Sequence, residues 1–272
     1  MIEPDERQRI LATIPRGDAQ LPLLLHRAPG SEPRDLVVYL HGMAEDKVDP
    51  DSPMPRIFTD LGMDVLRFNY AGLHGIPGVH TLSSGLDDVQ AILDALDAGT
   101  IDTDLKPART VLVGYSFGSA VALLSAAADP RVDAVAALAI GDHGRIGRIL
   151  ADPGSAVAQQ FRDAVHQVYG PGTPVPGTAP SVFLDDLVDH AERFDFLRIA
   201  PDLLTTPVLL FHGVADDVFP AEEHFVPLYR ALVQASHPRL EADLLPTDHA
   251  FAGIDVPGLL RRVATWIAAD RA

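Results

Sequence analysis

The sequence predicts a three-layer α/β/α sandwich built on a mostly parallel sheet, and three observations carry that prediction. Short β-type apolar runs alternate with amphipathic helical stretches along the 272 residues. Several of the runs are apolar on both faces, as strands must be when helices cover both sides of a parallel sheet. A hydrophobic content of 47% over this length is enough for one large buried core.

The expected strands are LPLLLH (21–26), DLVVYL (35–40), DVLRFN (64–69), TVLVG (110–114), VDAVAALAI (132–140), PVLLFH (207–212) and LEADLL (240–245). Between them a helix is expected over 84–98, where Leu86, Val89, Leu93 and Leu96 share a face and Ser84 with Asp87 forms a capping-box pattern. Further helices are expected over 117–128, 221–235 and 257–269. One segment breaks the alternation. Residues 142–200 hold no clear strand, and their stretch YGPGTPVPGTAP (169–180) is too rich in proline and glycine for regular structure. Amphipathic helices are expected on either side of that stretch, over 156–169 and 181–197. The chain is therefore expected to divide into a core (1–141 and 201–272) and an insertion at 142–200, read as a helical cap because it leaves the sheet at the strand end where α/β folds place their ligands, with a plain surface insertion as the alternative.

The bulk composition narrows the choice of partner. A formal net charge of −17 repels phosphate backbones and anionic lipid heads, so neither nucleic acid nor a membrane surface is expected. No cysteine is present, which removes disulfides and thiolate chemistry. The N-terminal stretch MIEPDERQRILATIPRGD is charged and does not read as a secretory signal, and no run reaches the ~20 apolar residues of a membrane span. A cytoplasmic location is the expectation. The glycine-rich FNYAGLHGIPG (68–78) has neither G-x-G-x-x-G spacing nor a P-loop lysine, so no nucleotide site is expected there.

The chemistry is concentrated in RTVLVGYSFGSAVALL (109–124), where a strand runs directly into a helix through G-x-S-x-G. That arrangement is a nucleophile elbow: Ser116 is held on a strained turn with its hydroxyl clear of the sheet, and Gly114 and Gly118 leave room for the neighbouring chain. Ser116 also begins a helix, whose free N–H groups and positive dipole end suit a developing oxyanion, with the Phe117 N–H as one donor. A serine hydroxyl needs a base, and the base needs an orienting group. Asp216 lies in the loop leaving PVLLFH and His249 in the loop leaving LEADLL, so the chain order is Ser, Asp, His. His249 is expected to be the base and Asp216 its carboxylate.

With these residues in hand, the chain resembles the α/β-hydrolase superfamily from about residue 20 onward. The phrases TTPVLLFHGVADDVFP and PTDHAF are most similar to the dienelactone hydrolase and prolyl oligopeptidase branch. The resemblance implies a second oxyanion donor in the His41-Gly42-Met43 stretch after DLVVYL, from the Met43 backbone N–H. A single glycine there departs from the HGGG run of lipases. The long peptidases of that branch carry a propeller that a chain of this length does not hold, which turns the expectation toward a small-molecule acyl hydrolase.

Rival residues exist. Asp217 neighbours Asp216, Asp142 follows an earlier strand, and Asp248 adjoins His249. Beneath the cap, His143, Phe194 and Phe196 are candidate substrate contacts, although His143 also reads as a surface histidine and packing of the cap explains the phenylalanines equally well. His41 and His212 read as loop braces. His26, His74, His80, His166, His190, His224 and His237 show no ligand spacing, so no metal is expected, and the chemistry needs no cofactor. Trp266 reads as core. The expected activity is serine-dependent cleavage of a carboxylic ester, thioester or activated amide of a small molecule. An acyltransferase, cyclase or product-releasing thioesterase would use the same triad, and a non-catalytic binding protein would have no need of it. Monomer and homodimer both stay open.

Overall fold

In a computed structural model of the chain, residues 9–17, 19–30, 33–43 and 47–269 are described. Eight strands form one sheet in the order β1-β2-β4-β3-β5-β6-β7-β8. They are β1 (Arg9–Arg16), β2 (Ala19–His26), β3 (Asp35–Leu40), β4 (Asp64–Phe68), β5 (Arg109–Tyr115), β6 (Ala134–Leu138), β7 (Val208–Gly213) and β8 (Leu240–Leu245). The β1–β2 and β2–β4 pairs are antiparallel and every other pair is parallel. Side-chain alternation sends Leu36, Val38, Leu40 and Leu112 into one hydrophobic layer and Val37, Val111 and Val113 into the other.

Helices cover both faces. On the first lie α2 (Leu82–Asp97), α3 (Phe117–Ala128) and α8 (Ala221–Gln234); on the second lie α1 (Arg56–Thr59) and α9 (Val256–Ala269). None of the described helices is long and apolar enough to cross a membrane. All seven expected strands form, with ends shifted by up to two residues. Strand β1 was not expected. It is an edge strand with Leu11 80% exposed and only Ile14 fully buried, so its sequence lacks the apolar face that marks the others. The one-turn helix α1 was likewise not expected. Helix α2 starts at Leu82 and not at 84, because Thr81 is the residue that caps it and accepts the Ser84 N–H at 3.1 Å. Ser84 turns its hydroxyl away to the Val79 carbonyl, so the expected capping box does not form.

Residues 142–200 form α4 (His143–Leu150), α5 (Ala156–Val168), α6 (Pro180–Asp189) and α7 (Phe196–Ile199). The helix expected over 181–197 breaks near His190, and the 169–180 stretch makes one isolated bridge, Tyr169 to Val175. Gly144 and Gly147 fall on one face of α4 and let it lie against α6. A Cβ at Gly147 would run into the Leu187 carbonyl, and one at Gly144 into the Ala191 carbonyl. The start of α2 ties this segment to the sheet domain. The His80 N–H donates to Thr178 Oγ1 (2.9 Å), the Ser83 N–H donates to the Asp186 carboxylate (3.0 Å), and the His80 ring meets the Tyr169 hydroxyl at 2.8 Å.

Candidate active site

Strand β5 enters α3 through Ser116, whose backbone sits at φ 53°, ψ −118°. A residue with a Cβ occupies that positive-φ region only when its surroundings hold it there. The Ser116 N–H donates to the Leu138 carbonyl of β6 (2.9 Å), and the Ser119 hydroxyl donates to the Ser116 carbonyl (2.6 Å). Both flanking glycines are obligatory. A Cβ at Gly114 would collide with the Gly118 carbonyl, and a Cβ at Gly118 with the Leu40 carbonyl at the end of β3. Close approach of α3 to β3 and β5 therefore depends on hydrogen at both positions.

Three side chains from three loops meet at this turn. Ser116 Oγ lies 2.9 Å from His249 Nε2, and His249 Nδ1 lies 2.8 Å from Asp216 Oδ2. Residues 116 and 249 are 133 positions apart in the chain. The other carboxylate oxygen, Asp216 Oδ1, accepts the N–H groups of Val218 (3.0 Å) and Phe219 (2.8 Å). Burial alone would raise the pKa of Asp216, but the hydrogen bonds from His249 and from Phe219 outweigh it, and the group sits below the ordinary carboxylate range. An ionised Asp216 accepts from Nδ1–H, so Nε2 presents its lone pair to the serine hydroxyl. The Tyr115 hydroxyl donates to the His249 carbonyl (3.2 Å), and the Phe219 ring packs edge-on to the imidazole at 5.2 Å.

The acid loop is itself braced. The Ile140 N–H donates to His212 Nδ1 (3.0 Å), which requires His212 to carry its proton on Nε2 and donate it to the Phe219 carbonyl at 2.9 Å. The Asp142 N–H donates to His224 Nδ1 in the same way (3.0 Å). Burial holds both rings neutral: His212 is lowered from the ordinary histidine value and His224 is pushed down to about 3. Gly141 leaves the space that the Phe219 ring occupies, with a Cβ there only 2.7 Å from the ring. His212 fits the bracing expected of it. The part of His224 was not legible, since its ring acts across 82 residues of sequence.

Neither the Met43 nor the Phe117 backbone N–H takes part in a hydrogen bond among the described residues. The chain before Met43 runs against the elbow, where a Cβ on Gly118 would lie 2.7 Å from the His41 carbonyl. The rival acids are elsewhere engaged. Asp217 is exposed, Asp248 accepts the Ala252 N–H (2.9 Å), and Asp142 caps α4 by accepting the Arg145 N–H (2.9 Å). Burial raises Asp142 to about 6.

The expected substrate contacts are a different matter. His143 has no exposed surface: its Nδ1 donates to the Gly141 carbonyl (2.8 Å) and its ring is wedged between Phe117 and Phe219. Phe194 and Phe196 are at 0% and 1% exposure and belong to the hydrophobic layer beneath the inserted helices. All three rings are buried in side-chain contacts and do not stand on an open wall. Among the described residues no cluster of histidine and carboxylate side chains is grouped as a metal site.

A sequence search of curated proteins finds no match. Solved structures with the same fold include alpha/beta hydrolase domain-containing protein 10 from mouse, 22% identical with a TM-score of 0.67 over 96% of this chain and 99% of that one. Est1E from Butyrivibrio proteoclasticus is 14% identical with a TM-score of 0.65, covering 96% and 98%. A puromycin-hydrolyzing peptidase from Mycobacterium tuberculosis is 21% identical with a TM-score of 0.68, and 37% of its longer chain is matched by 94% of this one. The family profile described as "Alpha/beta hydrolase family" matches residues 37–272, and the chain belongs to that family.

Proposed function

We propose that the chain is a serine hydrolase that cleaves a carboxylic ester, thioester or activated amide of a small molecule through an acyl-enzyme intermediate. The observation that carries this reading is the relay from Ser116 Oγ to His249 Nε2 (2.9 Å) and from His249 Nδ1 to Asp216 Oδ2 (2.8 Å), built on a serine held at φ 53°. An esterase from Pyrococcus furiosus and a puromycin-hydrolyzing peptidase among the structural neighbours support it as analogy.

In this reading Ser116 attacks the acyl carbonyl while His249 Nε2 takes its proton. Asp216 holds the imidazole in the accepting tautomer and stabilises the imidazolium that forms. The Met43 and Phe117 N–H groups receive the oxyanion, a contribution worth about 10²–10³ in rate per donor. His249 then protonates the leaving group, and water takes the place of Ser116's hydroxyl in the reverse sequence to release the acid. Residues 142–200 act as the cap over this centre. The test is turnover of short 4-nitrophenyl esters. Ser116→Ala is expected to lower kcat/KM by about 10⁴ or more with the fold intact, and unchanged turnover in that variant overturns the proposal.

A further inference from the structure

A cleft of about 410 Å³ opens at the ends of β3 and β4, with Tyr39, His41, Lys47, Asp49, Met54 and Arg67 in its lining. Its wall is shared with the elbow, since the His41 carbonyl lies against Gly118 while the same residue faces the cleft. The unusual member is Arg67. It is only 5% exposed, yet it forms no ion pair with a carboxylate among the described residues. The other arginines that reach into the core do: Arg16 pairs with Asp88, Arg27 and Arg34 with Asp64, and Arg109 with Asp35. A buried cation that no described carboxylate pairs with is costly unless an anion reaches it.

The guanidinium is nonetheless held in one place. Its Nη2 donates to the Asp49 carbonyl (2.7 Å) and meets His26 Nε2 at 3.0 Å, while Nη1 has no hydrogen-bond partner among the described residues. Burial lowers the Arg67 value, and the Asp49 carboxylate acts against that from a distance. Asp49 itself is exposed and turns Oδ1 to the Asp51 N–H (2.9 Å). Lys47 adds a second, exposed cation at the same cleft. His41, pushed down to about 4 by burial, adds none. A fixed planar fork with a free arm, backed by an ammonium, is the geometry that recognises a carboxylate.

We propose that this cleft is an anion subsite of the active centre, and that the substrates are esters or thioesters carrying a carboxylate that Arg67 and Lys47 bind while the reacting carbonyl lies at Ser116. The inference rests on the serine hydrolase reading and narrows its substrate class.

The experiment compares matched esters that differ in the charge. One pair places it on the acyl side (mono-4-nitrophenyl glutarate against 4-nitrophenyl pentanoate), the other on the leaving group (3-acetoxybenzoate against phenyl acetate). The expected result is a preference for the charged member of at least one pair, falling as salt is raised. Arg67→Met is expected to reduce the charged-to-neutral ratio of kcat/KM by about tenfold or more, with Arg67→Lys retaining part of it and Lys47→Ala reducing it by a smaller factor. The ratio is internal to each variant, so partial unfolding does not mimic the effect. No preference in either pair, or a ratio that Arg67→Met and Lys47→Ala both leave unaltered, overturns the subsite. Glutarate binding to the Ser116→Ala protein, measured by calorimetry, separates the two claims. Arg67-dependent binding together with no Ser116-dependent hydrolysis of any ester upholds the cleft and removes the hydrolase reading, while absence of binding counts against the cleft alone.

Discussion

Replacing Asp216 by asparagine changes one oxygen to an NH₂ group, and the surroundings decide which one. Oδ1 receives two N–H donors, from Val218 and Phe219, whereas Oδ2 receives only His249 Nδ1. The amide introduced by Asp216→Asn therefore keeps its carbonyl toward the two backbone donors, since the opposite flip sets NH₂ against two N–H groups and leaves both unsatisfied at about 1–3 kcal/mol each. Its NH₂ then faces His249 Nδ1 at the 2.8 Å that the carboxylate occupied. A donor in that position forces the imidazole proton onto Nε2, which no longer accepts from Ser116. The wrong tautomer is worth about 10⁴ in kcat, far beyond the effect of removing a charge with the geometry kept. The assay is steady-state hydrolysis of a 4-nitrophenyl ester by purified Asp216→Asn, with circular dichroism to check that the fold is unchanged. Asp217→Asn, at an exposed side chain, is the control and is expected to stay within about twofold of the parent protein. Asp216→Asn within about tenfold of the parent, or an equal loss in Asp217→Asn, refutes the reasoning.

Three further outcomes follow from the same contacts. Gly118→Ala drives a Cβ into the Leu40 carbonyl and is expected to lower stability by about 1–3 kcal/mol and activity with it, read as a fall in the denaturation midpoint; an unaltered midpoint contradicts the close approach of α3 to β3. His212→Phe leaves the Ile140 N–H and the Phe219 carbonyl without their partner and shifts the acid loop, so kcat/KM is expected to fall by about 10²-fold; retention of full activity removes His212 from that role. Asp88 is fully buried and raised to about 7 by desolvation, against the Ala71 N–H and Arg16. The folded state holds this proton more tightly than the unfolded one, so its contribution is intact below the unfolded value of 3.8 and is lost as pH rises through about 7. Asp88→Asn gives up the pairing with Arg16 (2.7 Å), but it has no proton to lose, so its stability relative to the parent is expected to rise with pH between these limits in chemical denaturation, and parallel stability curves contradict the burial argument.

What was legible in the sequence is what repeats or is chemically singular. The parallel strands announce themselves because both faces are apolar, as in TVLVG and PVLLFH, and the elbow because only glycine fits where backbone carbonyls crowd Gly114 and Gly118. Ser116, Asp216 and His249 each stand just beyond a strand, and the structure brings them within hydrogen-bond reach. Edge position hid β1, whose exposed Leu11 and scattered charges carry no clean alternation. The expected substrate contacts His143, Phe194 and Phe196 are buried, and no local pattern in the sequence tells a buried interface from a cavity wall. The braces His212 and His224 and the isolation of Arg67 depend on which carbonyls, N–H groups and carboxylates lie nearby across long stretches of chain, and no local pattern records that.

The most direct measurement is mass spectrometry of the protein after exposure to a fluorophosphonate. One adduct, located on Ser116 and formed far more slowly in His249→Ala, is the expected result. An adduct on any other residue, or labelling of Ser116 at the same rate without the imidazole, contradicts the relay on which the account is built.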